Sequence, residues 1–177
     1  MSSPALSDPL TAELIAYLAH ARALEELDLR LLGAGVRSAR DRRVREVYRM
    51  HRAETEQHLG LIEARLRAHA GCVAPHGGAA SVGALEIRFA EDALHTPTQL
   101  AISAYAFENL EIAVYHLLGR VAERCGEDET GAVVRQILEE EEQAAELMAS
   151  TFDRALAATL MLTGAPRRPA PSVPYDA

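Results

Sequence analysis

The chain has no lysine and no tryptophan, and only two cysteines among its 177 residues. The missing lysine reads as a compositional bias and excludes nothing by itself. Cys72 and Cys125 are too few for a disulfide framework or a thiolate metal site. Each reads as a plain small residue near a helix end. Aromatics make up only 5% of the chain and β-branched residues are few, so the material for a β-structure is thin. No apolar run is long enough to span a bilayer. The N-terminus shows no basic region followed by an apolar core and a cleavage site. A soluble, cytoplasmic protein with no membrane partner is the expectation. The net charge of -8 also argues against nucleic acid as a default partner.

What the chain does have is Ala, Leu, Glu and Arg, a helix-forming composition. Its length fits one domain with a real core. Between residues 37 and 52, Arg40, Arg42, Arg43, Arg45 and Arg49 make a basic run. It reads as a solvated helix start, with a surface for an acidic partner as the sharper alternative.

The helical period begins at Leu10, after a lead-in over 1–9 with Ser7 and Asp8 as capping residues. It runs into the high thirties, with Gly33 and Gly35 weakening its last turns and a turn near 38–41. A second helix is expected over 42–69. Loop chemistry follows at Gly71 and Pro75-His76-Gly77-Gly78. Residues 81–94 are compatible with a short extra helix. Pro97 opens a third main helix, to about Arg124. A turn at 125–128 leads to a fourth, over 129–162. The end, 164–177, is Pro-rich and reads as disordered or draped. Two helical hairpins joined by one long connection are the ferritin-like arrangement of a four-helix bundle, here over 10–163.

Core positions of bundle helices recur at steps of three and four. The first stripe reads Leu14, Leu18, Ala21, Glu25, Asp28, Leu32. The second reads Val44, Val47, His51, Glu54, His58, Leu61. The third reads Ala101, Tyr105, Glu108, Glu111, Tyr115, Leu118, Ala122. The fourth reads Val134, Leu138, Glu141, Ala145, Met148, Phe152, with Glu140 on the adjoining stripe. Every main helix thus points a carboxylate inward, and no arginine shares those positions. A buried unpaired carboxylate costs several kcal/mol. A domain has only about 5–15 kcal/mol of net stability, so several such groups need a neutraliser. Protons can serve some of them; divalent cations neutralise and organise them together. Counting from the turns puts Glu25 level with Glu54, and Glu111 level with Glu141, to within about a turn of 1.5 Å steps. Carboxylates with imidazole and no thiolate suit iron or manganese, and zinc also fits.

These segments resemble the YciE/YciF-type ferritin-like family, a stress-associated group of unknown biochemical activity. The likeness rests on Tyr17-Leu18-Ala19-His20-Ala21 running to Glu25, His51-Arg52-Ala53-Glu54-Thr55-Glu56-Gln57-His58, Phe107-Glu108-Asn109-Leu110-Glu111-Ile112-Ala113-Val114-Tyr115 and Glu140-Glu141-Glu142. It implies an all-α, ferritin-like bundle, often a homodimer, with a carboxylate-rich site for two divalent metal ions. The Glu-x-x-Glu pair of the third helix is also similar to that of rubrerythrins, which reduce peroxide. This chain has no rubredoxin-type cysteine site, so an electron donor would have to come from elsewhere. It also departs from the ferritin Glu-x-x-His pattern. Gln57 stands where the second-helix His belongs, and the fourth helix has no His after Glu140 and Glu141.

The expected metal ligands are Glu25, Glu54, His58, Glu108, Glu111 and Glu141. Glu54 and Glu111 are the bridging candidates, and His58 is the nitrogen ligand ahead of His51. Glu140 substitutes for Glu141 if the fourth helix is rotated. The expected function is metal binding with O₂, peroxide or iron chemistry in a stress response. The main alternative is a non-enzymatic dimerisation or scaffold protein with an empty site. Oxidation of an organic substrate is a third.

Overall fold

The computed structural model describes residues 8–69 and 96–164, which fold into five helices. They are α1 (Pro9–Ser38), α2 (Arg42–Ala68), α3 (Pro97–Cys125), α4 (Asp128–Ala149) and α5 (Phe152–Thr163). The expected extra helix at 81–94, Cys72, Ser7 and the Pro-rich tail lie outside the described residues.

Local chemistry sets the helix ends. Asp41 caps α2, its carboxylate accepting from the backbone N–H of Arg43 and Val44 at 2.8 and 3.1 Å. Thr96 and Gln99 form a capping box ahead of Pro97, so α3 starts where the proline predicts. Gly126 ends α3 in the left-handed region at φ 68°, a conformation that costs other residues about 1–2 kcal/mol. Asp8 precedes α1 but makes no side-chain cap hydrogen bond. Cys125 is the last residue of α3, a partly buried free thiol. Part of the basic run is paired within its own neighbourhood. Arg45 donates to the Ala39 carbonyl, Arg49 pairs with Glu46, and Arg52 pairs with Glu56.

The fourth helix is not continuous over 129–162. It breaks at Ser150-Thr151, whose hydroxyls each donate 2.7 Å hydrogen bonds to the carbonyls of Leu147 and Met148. Side chains that bond back to the previous turn compete with the helical ladder and bend it. α5 follows as a separate helix and, like α4, packs against α3. Thr98 and Thr159 join hydroxyls at 2.6 Å, and Tyr105 meets Phe152 edge-on at 5.5 Å between ring centroids. Both rings remain partly in water. The expectation that Tyr105 and Phe152 are core is corrected: they are 38% and 39% exposed and pack on each other at the rim.

α1 and α2 are antiparallel, with Asp28 beside Thr55 and Gly35 against Tyr48. α3 lies antiparallel to α1, since Tyr115 reaches Glu25 and His51 lies between Asp28 and Glu108. α2 and α3 are therefore parallel, and the chain between them has to return along the bundle. This is an all-α four-helix bundle with one long crossover. Around the bundle the order is α1, α2, α4, α3, with Leu14, Leu18, Leu32, Ile62, Phe107, Leu118, Ile137 and Met148 fully buried between them. Among the described residues no helix is long and apolar enough to cross a membrane.

Candidate metal centre

Midway along the bundle the apolar layers give way to a polar one. α1 supplies Glu25 and Asp28, α2 supplies His51 and His58, α3 supplies Glu108 and Glu111, and α4 supplies Glu141. All seven are buried to 2% exposure or less. They occupy stripe positions, so the helical period that builds the core also aims them at one another.

Their donor atoms form three groups, each within 4.8 Å: Glu25, His58 and Glu141; Asp28, His51 and Glu108; and Glu108, Glu111 and Glu141. Glu108 and Glu141 belong to two groups each, so they link the histidine-containing halves. His51 Nε2 lies 2.7 Å from Glu108 Oε2, 3.5 Å from Glu141 Oε2 and 3.7 Å from Asp28 Oδ2. His58 Nδ1 lies 2.8 Å from Glu141 Oε1 and 3.7 Å from Glu25 Oε2.

These short approaches lack hydrogen-bond alignment. His51 Nε2, His58 Nδ1, Glu25 Oε2, both oxygens of Glu108, Glu111 and Glu141, and Asp28 Oδ1 are buried with no hydrogen-bond partner. Two atoms that each bind one ion at about 2.1 Å, at right angles, lie about 3 Å apart. The spacing fits atoms gathered about a common ion as well as imidazole–carboxylate pairs. Buried polar atoms normally find partners, so this many orphans in one layer call for one.

Charge leads to the same place. Five buried carboxylates outnumber two imidazoles, so protonating both rings still leaves a negative core. Burial is the largest influence on Glu111 and holds its carboxyl well above the usual range; Asp28, Glu141, Glu25 and Glu108 add repulsion. Burial likewise raises Glu108 and Glu25, against partial relief from His51 and His58. Asp28 is pushed up to about 7 by burial and by Glu141 and Glu25, with His51 opposing. Burial opposes charge on the rings, yet Glu108 and Glu54 raise His51 to about 11, and Glu141 and Glu25 raise His58 to about 10. Burial also resists charge on Glu141, but His58 and His51 outweigh it and hold that carboxyl below its ordinary value. Without metal, the layer holds itself together with protons.

Neighbours fix the orientation of several of these groups. The Tyr115 hydroxyl donates to Glu25 Oε1, and Thr55 Oγ1 sits 3.2 Å from Asp28 Oδ2. Outside, Glu54 Oε2 meets His51 Nδ1 at 3.2 Å and Glu140 Oε2 meets His58 Nε2 at 2.7 Å. Such outer contacts set which ring nitrogen is left to face a metal.

The structure brings together Glu25, His58, Glu108, Glu111 and Glu141, as the stripes predict, and His51 joins them on an equal footing with His58. Two expectations change. Glu54 is not a core residue: α2 turns inward at Tyr48, His51, Thr55, His58 and Ile62, leaving Glu54 at the rim with 38% of its side chain exposed. It falls in none of the three groups of converging donor atoms. Glu140 also lies on the rim, at 32% exposure. Asp28 was legible as a stripe position but not as a ligand, and its orphaned buried oxygen now marks it as one candidate. The cause is register: Glu25 faces His58 rather than Glu54, one turn from the level counted from the loop. A surface cleft of about 800 Å³ beside Arg40, Arg43 and Arg154 touches none of these residues.

With this geometry established, relatives can be compared. Residues 10–161 match the family described as Domain of unknown function (DUF892). The chain belongs to this family. Two solved structures of similar fold bracket it. One is a protein (XCC3681) of Xanthomonas campestris pv. campestris, 22% identical, covering 89% of this chain and 99% of its own, with a TM-score of 0.71. The other is the Escherichia coli stress protein YciF, 18% identical, covering 81% and 94%, with a TM-score of 0.67. Both likenesses bear on the fold, the ferritin-like bundle of YciF-type proteins. No curated protein sequence matches the chain.

Proposed function

We propose that this protein binds two divalent metal ions in its central polar layer, iron or manganese by preference. The observation that carries the reading is the set of converging, unpartnered donor atoms buried in the core. One ion would lie with Glu25, His58 and Glu141, the other with Asp28, His51 and Glu108, and Glu111 would complete the bridge. The oxygen-rich donor set with one imidazole per ion suits Fe and Mn, with zinc as a competitor.

Bound iron would supply redox chemistry toward O₂ or peroxide, the activity we assign to a stress-related role. The chain's own contribution is to hold the carboxylates deprotonated around the ions and to exclude water with the Leu, Ile and Phe layers on either side. Tyr115 holds Glu25 in place, and Glu54 and Glu140 orient the two rings.

One observation favours the non-enzymatic scaffold instead. Raised carboxyls and charged imidazoles let the layer persist without metal. Elemental mass spectrometry on protein expressed with Fe and Mn supplied separates the two readings. The metal reading expects about two ions per chain, as in di-metal bundles, lost in Glu111→Gln/Glu141→Gln. No stoichiometric metal in the unaltered protein, and no change in melting temperature on adding Fe²⁺ or Mn²⁺, would leave the scaffold.

A further inference from the structure

A cation bound in the polar layer has to cross a wall, because every candidate ligand there is at most 2% exposed. The four neighbouring helix pairs do not wall it equally. Among the described residues, packing between α2 and α4 is the sparsest. The two helices run antiparallel, with Arg65 on Thr130 at one level and His58 on Glu140 at another. One turn beyond Glu140, on the same side of α4, stands the buried Ala144, whose short side chain adds little to the wall.

Both histidines stand in that wall. Each shows an unpartnered nitrogen to the interior and its other nitrogen to a half-exposed carboxylate. Two short relays result: Glu54, His51, Glu108 on one side, and Glu140, His58, Glu141 on the other. Glu54 lies on the same side of α2 as Arg65, which faces α4, while Tyr48 and Thr55 face α1. Both outer carboxylates therefore flank one seam.

We propose that the α2–α4 seam is the uptake port for divalent cations, with Glu54 and Glu140 as the carboxylates that first capture the hydrated ion. This rests on the metal-binding reading above. Each carboxylate trades its imidazole contact for the arriving ion, and the freed ring swings to admit it. A pair of half-exposed carboxylates concentrates cations at the seam and speeds capture. Neither belongs to the donor groups within.

The test is stopped-flow uptake of Co²⁺, read by its visible absorption, on the full chain and on Glu54→Gln, Glu140→Gln and the double variant. Glu123→Gln, at the α3–α4 cleft, serves as the control. Melting of each metal-free variant confirms folding. The double variant should take up Co²⁺ about tenfold more slowly, the low end of electrostatic steering. Stoichiometry should stay the same, and some affinity should be lost because the same carboxylates orient the rings. The port predicts that the fall lies mainly in the uptake rate. An unchanged uptake rate, with any loss of affinity carried by faster release, would overturn the port. Slowing in the Glu123 control instead would move the port to the α3–α4 side. If the unaltered chain takes up no Co²⁺, Fe²⁺ or Mn²⁺, it is the metal reading itself that fails.

Discussion

Glu111→Gln should stabilise this protein when metal is absent and abolish its stabilisation by metal. Glu111 is fully buried, both oxygens lack partners, and four carboxylates raise its cost of ionising. The amide has nearly the same shape and no charge, and its N–H groups can donate to Glu25, Glu108 or Glu141. Removing an unsatisfied buried charge is worth about 1–3 kcal/mol. In a domain of this size that raises Tm by about 2–4 °C per kcal/mol. The sign depends on pH. The folded carboxyl holds its proton more tightly than the ordinary 4.5 of the unfolded chain. Its favourable contribution is present below that value and is lost as pH rises through the folded value. Gln does not titrate, so its advantage should be absent in acid and grow toward alkaline pH. Metal reverses the ranking, since an ion at 100 times its Kd adds about 2.7 kcal/mol to the unaltered protein. Calorimetry with chelator and then with Mn²⁺, at both ends of the pH range, reads all of this. A metal-free variant that melts lower than the parent at alkaline pH would refute the charge argument. A full metal-induced shift in the variant would refute the role of Glu111.

Other expectations follow from the same geometry. Gly35→Ala should destabilise by about 1–3 kcal/mol in urea titration, because a Cβ there would fall 2.7 Å from the buried Tyr48 ring. Tyr115→Phe removes the hydrogen bond to buried Glu25. It should cost about 1.5–3 kcal/mol, read by the same titration without metal. Metal-induced stabilisation should grow with pH. Asp28 loses its folded-state proton near 7, and His51 and His58 hold theirs to about 11 and 10, so an incoming ion must displace protons. These raised groups favour the metal-free fold below their ordinary values and cease to do so as pH rises through the folded ones. Glu141 acts oppositely, its contribution vanishing as pH falls. Thermal shifts with and without Mn²⁺ from about pH 6 to about pH 8 should therefore diverge. Parallel curves would count against metal displacing protons at this layer.

The sequence alone determined the helices and most of the polar layer, because both follow from a local period. Thr96, Pro97 and Gly126 mark ends of α3 by backbone chemistry that needs no partner. Glu25, His51, His58, Glu108, Glu111 and Glu141 interrupt apolar stripes, and one helix's own spacing suffices to place them inward. Tertiary structure decided what depends on two helices at once. The phase of α2 put Thr55 inside and Glu54 at the rim, since a step of four rather than three is chosen by the face α1 and α4 offer. The register of the first hairpin, set by Gly35 against Tyr48, placed His58 opposite Glu25 and drew Asp28 into the layer. The break at Ser150-Thr151, where hydroxyls bond back to the carbonyls of the previous turn, divided the expected fourth helix in two. Periodicity tells a side chain which way to face; only the packed neighbour tells it what it meets.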